Sequence, residues 1–203
     1  VTGIFTWFHQ VWPDSSVKYG IRQTVAPEST VVTVDDAKHH CRIDTSFDDD
    51  YVNGLILAAE SALQKEYGCQ FLTATWQLVL DYFPPTIRVP ISPLQSVTSI
   101  TYDDVQGNQQ TLDTSWYLVD DVRQPARIQP SYGHAWPPTY TVLNPITITF
   151  TAGYGDEAAS VPAGCVHAIK LYVNALYQNR EPTEMEWSTI GNLMIDVNRG
   201  IYA

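Results

Sequence analysis

Positive charge is scarce in this sequence: 11 lysines and arginines stand against 22 aspartates and glutamates, a net charge of −11. Such a surface has little with which to neutralise phosphates, which argues against nonspecific binding to nucleic acid or to an anionic membrane. Cysteine is scarce too. Cys41, Cys69 and Cys165 are odd in number and widely scattered, as expected of reduced thiols in a cytoplasm and not of a disulfide framework. Long apolar runs are missing; a stretch such as Ile146 to Ala152 is far too short and threonine-rich to span a bilayer. Val1 to Phe8 has no basic segment followed by an apolar core, so no secretion signal is expected there.

The usual marks of chemistry are also missing. The turn "AGYGDEAASVPAG" has neither the GxxxxGK[ST] nor the GxGxxG spacing, and it puts Asp156 and Glu157 where a bound phosphate would lie. Gly153 and Gly155 therefore read as backbone turns at a strand exit. His39, His40 and Cys41 are adjacent, and neighbouring helix positions point about 100° apart, so the three do not converge on one metal ion. The acidic groups Asp48 to Asp50, Asp103-Asp104 and Asp120-Asp121 lack the alternating calcium loop with its distal glutamate, and helix capping or turn formation accounts for them. No GxSxG elbow occurs. His134 and His167 are available as bases, but Cys165, two residues before His167, faces another side of a helix. No catalytic residue, metal ligand or cofactor site is expected.

What is present is regular structure. Thr33 caps a helix near 34–43, with Asp36 three positions on. A second helix near 49–66 starts with Asp48 to Asp50 at its positive end and stops at Gly68; Val52, Leu55, Ile56, Ala59, Ala62 and Leu63 form its core stripe. From residue 72 the period changes to two. "TATWQLVLDYF", "IRVPI", "SVTSITYDD" and "QQTLD", the last two flanking Gln106-Gly107-Asn108, predict strands and a hairpin in an antiparallel region. Shorter strands are expected at Trp116 to Val119 and Ala126 to Gln129, then a strong one at Ile146 to Thr151. Pro162 opens a last helix to about residue 180, with Val166, Ile169, Val173 and Leu176 on its apolar face.

Residues 1–32 and 182–203 show aromatic side chains without a sustained period, and both are read as arms that pack against something else. The fold class expected is α+β: a small helical core with an inserted antiparallel β-region at about 72–151 and two extended arms. Trp7, Trp12, Trp187, Met194 and Tyr202 are the candidate interface residues, being of the types that anchor interfaces.

The ordered set "LQSV.SITY.D..G", "AGYG", "VP..C..AI" and "LY.NRE" resembles the phage head-tail connector (adaptor) proteins of the gp6-like superfamily over about Val32 to Glu181. The resemblance implies a connector domain over 33–181, assembled as a ring, commonly of twelve subunits, beneath the portal of a tailed-phage capsid. It implies a non-enzymatic virion protein at the head-tail interface, assembled in the bacterial host cytoplasm. Its partners would be further copies of itself, portal and a tail or nozzle protein, with DNA passing through without specific binding and no membrane involved. The other reading is an aromatic-rich carbohydrate-binding module or glycosidase of a phage tail. Trp136 and Tyr140 would suit a sugar, and a glycosidase would need two of the 22 carboxylates to meet in space.

Overall fold

The computed structural model describes residues 19–180 and 182–194. The chain divides into two compact units. One holds Thr73–Gly153 with the described residues up to Ala26, and the other holds Pro27–Leu72 with those from Tyr154 onward.

The second unit is helical. Helix α1 spans Val34–Cys41, and the Thr33 hydroxyl accepts the Asp36 N–H at 3.1 Å, as a capping residue does. Arg42 follows in the left-handed conformation and ends the helix slightly before the expected boundary. Helix α2 spans Asp49–Tyr67 and stops at Gly68, whose φ of 55° is one that glycine adopts without strain. Helix α3 spans Ala163–Asn179, entered from Pro162. Val52, Ile56, Ala59 and Leu63 of α2 meet Cys165, Ala168, Ile169 and Val173 of α3 in one buried cluster. Each large apolar side chain so buried is worth roughly 1.5–3 kcal/mol.

A fourth helix, α4, spans Glu184–Leu193, where the sequence reading expected an arm from residue 182. Its start is a capping box: Thr183 Oγ1 accepts the Glu186 N–H at 3.3 Å, and Glu186 Oε2 accepts the Thr183 N–H at 2.7 Å. Trp187, Ile190 and Met194 then recur at three and four residues and turn inward onto the same cluster. Val31 and Val32, read as part of the first arm, are buried there as well.

The first unit is built of strands: β1 Tyr19–Val25, β2 Ala74–Leu80, β3 Ile87–Val89, β4 Leu94–Asp103, β5 Gln109–Thr111, β6 Tyr117–Asp120, β7 Ala126–Pro130 and β8 Ile146–Ala152. They form two sheets, ordered β1-β2-β8-β4-β5 and β3-β7-β6, and all these pairings are antiparallel. Central strand β8 alternates strictly, with Ile146, Ile148, Phe150 and Ala152 buried. Leu78 of β2 and Ile100 of β4 flank Ile148 in register. Ile87, Ile128 and Tyr117 of the smaller sheet join the same core. Strand β1 lies inside the segment read as an arm. It is an edge strand with no fully buried residue, so its sequence lacks the alternation that marks a core strand.

Candidate functional site

The glycine turn after β8 is a corner and not a phosphate cradle. Gly153 and Gly155 have φ of 134° and 156°, and the Gly153 N–H donates to the Pro93 carbonyl at 3.0 Å. A Cβ on Gly155 would come within 2.7 Å of the Ser160 Cβ, so the turn is closed by its own chain. The first turn of α3 is occupied too: a Cβ on Gly164 would lie 2.8 Å from the Leu193 carbonyl oxygen.

The histidines take structural places. The His40 and His167 rings meet edge to face, with centroids 5.7 Å apart. Burial lowers the His40 pKa, and the neighbouring His167, Lys170 and His39 add to the effect. Cys165 is buried while His167 is exposed, as their spacing predicts. His134 Nδ1 lies 3.1 Å from Ser131 Oγ, which looks like a base beside a nucleophile. However, the Ser131 hydroxyl donates to the Ser115 carbonyl at 2.7 Å, and that leaves the histidine as donor to an already committed oxygen. Trp136 is stacked on Phe83 at 4.8 Å, 6° from parallel, so one face of its ring is covered by its own unit. Tyr140 is exposed.

Of the five candidate interface residues, Trp7, Trp12 and Tyr202 lie outside the described residues. Met194 is wholly buried at the end of α4, where its N–H donates to the Ile190 carbonyl. Trp187 is half-buried, with its ring 5.0 Å from that of Tyr172. Neither is held out on an extended tail, because the capping box starts a helix that folds back on α3. The signal was present in the sequence: Thr183 and Glu186 stand at capping-box spacing immediately before Trp187.

Two features that shape the surface were not singled out from sequence. Glu60, on the buried side of α2, accepts the Val31 N–H at 2.7 Å and so ties the segment before α1 to the helical unit. Its signal is an acidic residue inside a core stripe. The second is a set of exposed apolar residues. In the strand unit these include Leu118, Val122, Tyr132 and Leu143; in the helical unit they include Phe47, Tyr51, Leu57 and Met185.

Residues 31–129 match the model of the family described as phage gp6-like head-tail connector proteins. No curated protein matches the chain. Among solved structures, a chain from the neck of an empty gene transfer agent (GTA) particle, computed with C6 symmetry, is similar at a TM-score of 0.70 and 20% identity, covering 86% of this chain and 94% of that one. A chain from the virion of a native GTA particle gives 0.69 and 21%, covering 85% and 94%. One from the neck of a native GTA particle, computed with C12 symmetry, gives 0.68 and 18%, covering 86% and 94%. At these identities the likeness is one of fold. The family match covers residues 31–129, which carry α1, α2, strands β2 to β6 and most of β7, and over that segment the chain is similar to the phage gp6-like head-tail connector proteins.

Proposed function

We propose that this protein is a non-enzymatic structural adaptor that assembles as a ring of twelve copies, joins the portal to the tail and lets DNA pass through its centre. The observation that carries this reading is the connector-family match over residues 31–129 on a fold shared with chains of rotationally symmetric necks. The acidic surface fits a passage that repels DNA and leaves it free to slide. In this reading the protein resides in the virion after assembly in the host cytoplasm. Trp7, Trp12 and Tyr202 serve as docking anchors toward portal, a neighbouring copy or a tail protein, together with the exposed edge of Trp187. Met194 supports them from inside the subunit.

Co-sedimentation with portal, followed by native mass measurement, tests the proposal. The expected product is a portal complex carrying twelve subunits of 22.8 kDa. A protein that ignores portal and binds a sugar saturably would be a tail-borne lectin or hydrolase instead.

A further inference from the structure

Helix α2 turns Val52, Ile56, Ala59 and Leu63 inward; its exposed residues are Asp50, Tyr51, Asn53, Gly54, Leu57, Ala58, Ser61 and Lys65, so that between the charged ends Asp50 and Lys65 lie six exposed residues, of which Tyr51 sits at the margin with its ring 6.1 Å from that of Tyr177. None of those six carries a charge, although the chain as a whole stands at −11. The solvent side of a surface helix is ordinarily polar and charged. Here Tyr51 and Leu57 are 51% and 52% exposed, and Phe47, four residues before Tyr51, is 94% exposed.

Gly54 is an independent sign. Glycine in a helix interior is destabilising relative to alanine. Nothing among the described residues requires it, because a Cβ there would meet none of their atoms within 4 Å. The remaining use of a glycine with open space over it is to let another chain approach the helix backbone closely.

We infer that this face of α2 seats a second copy of the chain, as the neighbouring subunit of the ring; the inference rests on the ring reading above. Charge selects the occupant. Copies at −11 each repel one another, so they meet best where neither side brings unpaired carboxylates. Residues 51–61 offer about 15 Å of such surface along the helix, between the acids Asp48 to Asp50 and Lys65. A closed ring uses heterologous contacts, so the α2 face meets a different face of its neighbour.

The test uses the full chain assembled on portal, with a photo-crosslinking amino acid in place of Leu57. Ring formation is scored separately, by imaging the unsubstituted protein. The expected result is a ring together with a crosslinked product of twice the subunit mass. A ring whose Leu57 position crosslinks only to portal, or to nothing, overturns the α2 assignment and leaves the ring reading standing. A crosslinked pair without a ring keeps the α2 contact and overturns the ring. Neither product overturns both. The variant Gly54→Gln separates contact from folding: its melting temperature should rise by about 2–4 °C, while self-association weakens at least about tenfold. A Gly54→Gln protein that is more stable and still assembles at wild-type concentration would also overturn the assignment.

Discussion

Glu60 and Gly155 carry predictions at the scale of single residues. Glu60 accepts the Val31 N–H at 2.7 Å from within the helical core. Burial raises its pKa above the ordinary 4.5, against the opposing pull of backbone hydrogen bonds from Val31 and Val32. An acid with a raised folded pKa contributes stability that is fully present below about 4.5 and is lost as pH rises through the folded value. Denaturant midpoints of wild type and Glu60→Gln, measured from pH 4 to 8, should therefore diverge, with wild type losing ground as pH rises. A difference that stays constant with pH would contradict the account. Gly155→Ala should lower stability by roughly 1–3 kcal/mol, because φ is 156° and the new Cβ would press on Ser160. An unchanged melting temperature would show that the corner is looser than its geometry indicates.

Among the elements, α4 departs most from what the sequence suggested. Thr183→Ala removes one half of its capping box and should cost about 0.5–2 kcal/mol, read as faster amide exchange over Glu184–Leu193. Trp187→Ala should lower the melting temperature as well, by the equivalent of about 1–3 kcal/mol, since its ring packs on Tyr172. Full retention of stability would indicate that the ring faces outward. The longer elements were legible for physical reasons. Val52, Ile56, Ala59 and Leu63 repeat at helical spacing, and Ile146, Ile148, Phe150 and Ala152 alternate on a strand buried between two neighbours. By contrast, α4 spans under three turns, so its repeat of Trp187, Ile190 and Met194 is too brief to stand out, and β1 is an edge strand with no buried residue to mark an alternation. The split of the strands into two sheets was also hidden, since pairing partners such as Ile87 and Ile128 are set by tertiary contact and not by local pattern. The candidate site was less legible than the fold. Residue type pointed to Trp187 and Met194, but burial is decided by what packs over them, and the uncharged face of α2 is visible only once its core side is known.

At the scale of the whole molecule, charge dominates. In the proposed ring, twelve copies at −11 each would carry −132 formal charges, so duplex DNA should show no measurable binding at physiological salt. Tight, salt-sensitive binding by the isolated protein would contradict a sliding passage. The same repulsion opposes assembly, and salt screens it over a Debye length of about 8 Å at physiological ionic strength. Self-association should therefore strengthen as salt is raised, where contacts based on ion pairs would weaken. The most direct test of the connector assignment is an image reconstruction of the neck of the particle that carries this chain. The account predicts a ring of this two-unit fold placed between portal and tail, around the DNA channel. Finding the fold only on tail fibres, or nowhere in the neck, would contradict it.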